Sequence, residues 1–281
     1  MPIRFREDYP EVKGFFGFEV KKVLYSQKSV YQKIDILDTD KFGKALLIDN
    51  LIMFTENDEF VYHEMIAHVP LFVHPNPCNI LIVGGGDGGT IRETLKHPEI
   101  QKIDLVEIDS MVTQACLKYA PKLAEKILDE KVNCYFQDAV EFVAQSKNQY
   151  EIIIIDSTDP TNVGEGLFTK EFYQNCFRLL AEDGILVAQS ESPIWLPKLV
   201  KGIAAKLKSV FPGVYFYQAN IPTYPSGYWS FAFASKKHQP INDFRKTRYR
   251  ELDLSLKYYN GDLHLATFKL PTFFNEMISE A

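Results

Sequence analysis

Long apolar runs, paired cysteines and basic tracts are all missing from this chain of 281 residues. No stretch approaches the roughly 18 consecutive apolar residues of a membrane-spanning helix. The opening Met1-Pro2-Ile3-Arg4-Phe5-Arg6 has no apolar signal core, so the expected location is cytoplasmic, with no membrane partner. Four cysteines, Cys78, Cys116, Cys134 and Cys176, lie 38, 18 and 42 positions apart, which matches neither a C-x-x-C redox pair nor a zinc knuckle. They read as buried or incidental thiols in a reducing compartment. Against 37 Asp and Glu stand 31 Lys and Arg, a net charge of −6. That balance argues against a nucleic-acid backbone as partner and leaves room for a cationic ligand.

What is present is an ordinary globular composition, 46% hydrophobic and 24% charged. At this length folding buries roughly 75% of the surface the unfolded chain exposes, enough for one large domain and a small appendage. Neither an internal repeat nor a low-complexity segment interrupts it. From Gly17 to Phe54 apolar residues tend to alternate, as in Tyr31, Lys33 and Asp35 against Gln32, Ile34 and Ile36. A small antiparallel β domain over residues 1–57 is expected there. The period then changes: Phe60, Met65, Ile66, Val69 and Phe72 line one side of a helix over 58–72, stopped by His74-Pro75-Asn76-Pro77.

Beyond Pro77 strand and helix alternate. Strands are expected at 79–83, 102–108, 132–136, 150–155, 184–189, 214–219 and 229–234, with helices at 90–95, 111–119, 139–145, 170–180 and 196–210. Ile152-Ile153-Ile154-Ile155 suits a strand buried on both faces of a parallel sheet. Residues 58–281 are therefore expected to form an α/β domain built on a doubly wound sheet.

The first of these strands ends in Gly84-Gly85-Gly86-Asp87-Gly88-Gly89, a loop whose backbone can approach a ligand at a helix N-terminus. Glu107 follows Asp87 by twenty positions, at the end of the next strand, where such folds place a carboxylate on a ribose diol. Loop and acid together point to a nucleotide or nucleoside without separating NAD from an adenosyl sulfonium. Asp87 leans toward the latter, because an acid inside the loop repels a pyrophosphate and attracts a cation. Asp138 suits either an adenine amino group or the N-cap of the helix it precedes. Asp156 and Asp159 emerge three positions apart from the isoleucine strand, where open α/β sheets bind ligands and where desolvation raises basicity. His63 and His68 lie five apart, about 140° around a helix, which spoils chelation, and no metal site is expected.

Taken together, these segments closely resemble the polyamine aminopropyltransferases, the spermidine synthase family. The matching stretches are Thr55 to Met65, His74-Pro75-Asn76-Pro77, Gly84 to Gly89, Val106-Glu107-Ile108-Asp109, Asp156-Ser157-Thr158-Asp159-Pro160, Gly166-Leu167-Phe168-Thr169 and Tyr224-Pro225-Ser226-Gly227. They run in family order across most of the chain. The resemblance implies a Rossmann-like, methyltransferase-type fold and a homodimer or homotetramer. It also implies transfer of an aminopropyl group from decarboxylated S-adenosylmethionine, a co-substrate and not a resident cofactor, to a diamine such as putrescine. Position by position it makes Gln32, His63, Gly84, Gly86, Asp87, Glu107, Ile108, Asp138, Ala139 and Asp156 donor ligands. Tyr62, Asp156, Asp159, Tyr224 and Met53 would surround the acceptor, with Asp156 as general base helped by Tyr62 and Asp159.

The chain departs from the family pattern in three places. Asp49-Asn50 replaces the usual Asp-Gly, and Met53 stands near where a Gln falls. Pro160 to Gly164 replaces a Gly-Pro loop. No N-terminal Trp is present, only Phe15, Phe16 and Phe18, and Glu11 or Glu19 is left to meet a distal ammonium. An S-adenosylmethionine-dependent N-methyltransferase would share the sheet and Glu107, but Asp87 disfavours a donor carboxylate. Against a non-catalytic nucleoside- or polyamine-binding module stand Asp156, Asp159, Tyr62 and Tyr224 occurring together.

Overall fold

The computed structural model describes residues 3–158 and 162–281. Its first sheet is an antiparallel meander of β1 (Ile3–Tyr9), β2 (Gly14–Lys28), β3 (Lys33–Thr39), β4 (Lys44–Ile48) and β5 (Leu51–Thr55) in sequence order. The sheet includes a strand, β1, and the first residues of β2 ahead of the Gly17–Phe54 stretch in which alternation is read. Asp49 and Asn50 both take positive φ, 49° and 66°, the conformation a two-residue hairpin demands. Asn tolerates it, which is why this chain can do without the glycine.

The meander is covered on both faces. Ile34, Asp35, Ile36 and Leu37 are all buried. Ile34, Ile36, Leu46, Ile48 and Phe54 join the large core beneath the sheet. Val20, Leu37, Ala45, Leu47 and Ile52 form a second cluster covered by Phe5, Phe16 and Phe18. With both faces covered, Asp35 pairs with the Lys33 ammonium at 2.7 Å.

Next comes α1 (Glu59–Leu71), followed by β6 (Asn79–Gly84), α2 (Gly89–Thr94), β7 (Lys102–Glu107), α3 (Ser110–Tyr119), α4 (Pro121–Ala124), β8 (Val132–Phe136), α5 (Ala139–Gln145) and β9 (Tyr150–Asp156). The rest of the chain is α6 (Lys170–Leu179), β10 (Leu180–Gln189), α7 (Pro197–Lys208), β11 (Gly213–Asn220), β12 (Tyr228–Ser235), α8 (Lys246–Leu252), α9 (Gly261–Thr267) and α10 (Thr272–Ser279). The seven strands order as β11-β12-β10-β9-β6-β7-β8. Pairing is parallel from β10 to β8 and antiparallel where β12 enters.

Successive isoleucines of β9 serve opposite faces: Ile152 and Ile154 join the core with α1 and α3, Ile153 and Ile155 the core with α5, α6 and α7. That division is the double winding. Helix α1 departs from the one-sided pattern, since every residue from Val61 to Leu71 is buried. The polar face is closed by the C-terminal segment, where the Glu64 carboxylate accepts the N–H groups of Lys257, Tyr258 and Tyr259 at 2.8–2.9 Å.

Candidate active site

In the seven-stranded sheet β6 and β9 are neighbours although two strands separate them in sequence, and their ends register with Gly84 opposite Asp156. This is the point where strand order reverses, the place at which open α/β sheets leave a crevice. Gly85 turns there with φ 66°, and a Cβ on it would sit 2.7 Å from Asp156 Oδ2. The loop needs glycine so that the acid can occupy the crevice. A Cβ on Gly89 would lie 2.3 Å from the His63 ring, so this glycine makes room for the imidazole.

A cleft of about 1120 Å³, its open mouth included, runs from this point between the two sheets. Along one wall lie Gln32, Gly84, Gly86, Asp87, Glu107, Ile108, Asp138 and Ala139; Met53, Tyr62, His63, Asp156 and Tyr224 line the other part. Every residue expected to bind the donor or surround the reacting amine is therefore in one cleft except Asp159, which lies outside the described residues along with Pro160 and Thr161. Gly164, from the departing loop, also reaches the lining.

Ser29 ties the first sheet to the second by donating to Asp109 Oδ2 at 2.6 Å and accepting the Gln32 N–H at 3.1 Å, which carries Gln32 to the cleft. Asp109 in turn caps α3 through the Met111 N–H. Asp138 caps α5 through the Val140 N–H at 2.7 Å, as its N-cap reading expects, and also lines the cleft. Asp58 binds Thr55 Oγ1 and both the N–H and hydroxyl of Thr223. This fixes the loop that presents Tyr224, whose hydroxyl donates to the Met53 carbonyl at 2.5 Å. The Met53 side chain, half-buried, both lines the cleft and packs on the core.

Asp156 receives two hydroxyls, Tyr62 on Oδ1 at 2.7 Å and Thr90 on Oδ2 at 2.6 Å. Burial and the nearby Asp87 charge raise its pKa, against the pull of His63, Thr90 and Tyr62. Glu107 is pushed up to about 7, chiefly by burial, although the Asp109 and Gly86 N–H groups oppose that. Asp87 takes the Gly89 N–H on Oδ1 at 2.7 Å and faces His63 Nε2 at 3.4 Å. From its other nitrogen His63 donates to Glu59 Oε2 at 2.6 Å. Burial alone would lower the His63 pKa, but Asp87 and Glu59 outweigh it and hold it at about 10. It is an imidazolium at neutral pH.

Several neighbours escaped the sequence reading. Glu59, four residues before His63 on α1, accepts both Arg92 guanidinium nitrogens at 2.9–3.0 Å; the spacing was a usable signal. Thr90 and Glu7 gave none, since their partners are distant in sequence. Glu7 is buried, lines the cleft and accepts the Ile52 N–H at 3.2 Å. Glu11 and Glu19, the acids expected to reach a distal ammonium, are exposed, and Glu19 pairs with Arg4. Phe15, Phe16 and Phe18 do not line the cleft; Trp229 does, edge-on to Tyr224.

Among the described residues one group, His74, Asp183 and His238, has the composition of a metal site. The ring nitrogens lie 3.4 and 3.5 Å from the Asp183 oxygens. The Asn76 N–H, however, donates to His74 Nδ1 at 3.2 Å, which puts the proton of the neutral ring on Nε2, facing Asp183. A proton occupies the place of the ligating lone pair, and the group reads as a hydrogen-bonded clamp. His68, meanwhile, bonds Glu93 and His97 inside the core, away from His63.

Comparison with known proteins decides the family. Residues 59–246 match the spermine/spermidine synthase domain and residues 5–56 the spermidine synthase tetramerisation domain. The chain belongs to the spermine/spermidine synthase family. It is 50% identical over 267 residues to a polyamine aminopropyltransferase of Clostridium botulinum (strain Eklund 17B / Type B), covering 94% of each chain. It is likewise 50% identical over 264 residues to one from Alkaliphilus metalliredigens, covering 93% of each. A spermidine synthase solved in complex with the transition state analogue AdoDATO superposes with a TM-score of 0.97 at 41% identity, over 100% of this chain and 97% of that one. The spermidine synthase of Thermotoga maritima gives 0.94 at 39%, over 99% and 96%. This member of the spermine/spermidine synthase family is an aminopropyltransferase, and its Rossmann-like sheet with a small antiparallel sheet ahead of it is the architecture of those relatives.

Proposed function

We propose that the enzyme transfers the aminopropyl group of decarboxylated S-adenosylmethionine to putrescine, giving spermidine and methylthioadenosine. The observation that carries this reading is Asp87, an acid held inside the glycine loop beside the part-buried Asp156–Tyr62 pair. A donor that keeps its α-carboxylate meets repulsion there, and one that presents only an ammonium meets a counter-ion. The donor's nucleoside would lie along Gln32, Glu107, Ile108, Asp138 and Ala139, its sulfonium and propylamine toward Asp87 and His63.

The acceptor arrives as an ammonium with a pKa of roughly 10 by analogy with lysine, and deprotonating it at pH 7 costs roughly 4 kcal/mol. Asp156, turned by Tyr62, takes that proton. The freed nitrogen attacks the propyl carbon in line with sulfur; the C–N bond forms, the C–S bond breaks, and its electron pair returns to sulfur. The leaving thioether is neutral and needs no acid. Asp159 would share the positioning of the nitrogen, Tyr224 and Met53 the methylene chain, and Glu7 the distal ammonium. No cofactor or metal is required. A homodimer or homotetramer assembled through residues 5–56 is the proposed working form.

The test is incubation with decarboxylated S-adenosylmethionine and a panel of amines, products separated by chromatography. Putrescine should be the preferred acceptor, with one methylthioadenosine per spermidine; no product from any diamine would refute the reading. Asp156→Asn should cut kcat by roughly 10²–10⁴-fold, the range for a lost general base, while methylthioadenosine still binds. Near-normal turnover in that variant would take Asp156 out of the mechanism.

A further inference from the structure

Thr90 is fully buried at the second position of α2. A threonine at the start of a helix ordinarily turns its hydroxyl to the helix's own backbone. This one reaches across 66 residues to Oδ2 of Asp156, at 2.6 Å. The helix's demand on Thr90 is met by its carbonyl, which accepts the Thr94 hydroxyl at 2.7 Å. The side chain is thus free for another purpose, and its target is the carboxylate to which we have assigned the acceptor's proton.

We infer that Thr90 is a positioning residue for aminopropyl transfer: its hydroxyl holds Asp156 charged and turned toward the acceptor nitrogen without itself touching substrate. The inference rests on the assignment of Asp156 as base. Two demands on that base conflict. It must be basic enough to take a proton from an amine, and it must be deprotonated when the amine arrives. Burial and Asp87, from the loop after β6, push Asp156 toward its neutral form; His63 and Tyr62, from α1, and Thr90, from α2, pull it back. Glu107 on β7, Tyr224, Glu7 on β1 and Asp138 are the other titratable groups that line the cleft among the described residues. Tyr62 and His63 line the cleft and meet the ligands directly, so Thr90 is the contributor that can be altered from behind. Gly85 allows the arrangement, because a side chain there would strike the oxygen Thr90 binds.

Thr90→Val keeps the shape and removes the donor. A hydrogen bond to a buried carboxylate corresponds to about one to two pH units, so the acid limb of kcat, measured with both substrates saturating, should move up by that amount. Turnover should fall by about tenfold or more below the limb, and the alkaline plateau and the donor KM should stay within about threefold, since the base, once charged, is no weaker. Thr90→Ser should restore the limb. If Thr90→Val melts at the assay temperature, Thr90→Ala makes the same comparison. A Thr90→Val limb at the wild-type pH would overturn the inference, as would a Thr90→Ser limb displaced as far as the valine's. Asp156→Asn, run alongside, separates the two levels. Near-normal turnover there removes the base and this inference with it. Collapse there with an unmoved Thr90→Val limb overturns the part assigned to Thr90 alone.

Discussion

The carboxylates of the cleft are chemically alike and are made different by what each one faces. Glu107 sits nearly dry and rises to about 7. Asp156 is shaped by two hydroxyls, and Asp87 by a backbone N–H and an imidazolium. Charge at Asp87 is what should separate the decarboxylated donor from S-adenosylmethionine. Asp87→Asn is therefore expected to weaken the first and narrow its advantage over the second. Titration calorimetry with each compound checks this, and an unchanged affinity ratio would contradict it. At this scale the sequence was informative where a residue type is rare at its place: an acid in a glycine loop, or an acid after four isoleucines. Thr90 and Glu7 are unremarkable as letters. Their meaning comes from partners 66 and 45 residues away, which only the fold brings near.

At the scale of elements, α1 and α2 are joined by charge as much as by packing. Arg92 of α2 binds Glu59 of α1 bidentately, and Glu59 binds His63. Burial would raise the Glu59 pKa, yet His63 and Arg92 bring it down to about 2. Its contribution to stability is present above its ordinary 4.5 and is lost as pH falls toward about 2. His63, raised from 6.5 to about 10, contributes below 6.5 and loses that contribution as pH rises through 10. The two windows overlap between about 4.5 and 6.5. Glu59→Gln should consequently lower Tm most within that overlap and least at either extreme. Thermal melts of both proteins from pH 3 to 10 would show it; a Tm difference flat across that range would mean the cluster adds no charge-linked stability. Strands and helices of the α/β region were legible because periodicity and turn residues agree there. The all-round burial of α1 was not, since its polar side is covered by residues 257–259, and nothing local announces a neighbour that arrives nearly two hundred residues later.

For the whole molecule, the question is what the N-terminal sheet does beyond closing the cleft. It corresponds to the tetramerisation domain of the family. Exposed apolar side chains stand on both faces of its outer strands, Ile3 (53% exposed) on one and Phe15 (62%) on the other, with Val12 and Val23 exposed as well, and a second copy of the sheet would cover one or the other set. Strand β1 is the outer strand of this sheet and pairs with β2 alone. The same strand carries Glu7, which we place at the acceptor's distal ammonium. Assembly and acceptor binding should therefore be coupled, and donor binding, which apart from Gln32 is placed on the second sheet, much less so. Light scattering coupled to size exclusion should find a dimer or tetramer, and the double substitution Ile3→Glu with Phe15→Glu should shift it toward monomer. In the dissociated variant KM for putrescine should rise several-fold, on the scale of about 1 kcal/mol for a loosened hydrogen-bonding group, while KM for the donor changes little. A monomeric wild type would refute the assembly. A dissociated variant with both constants unchanged would show that β1 holds Glu7 in place without a neighbour, and equal rises in both would mean that the sheets move as one.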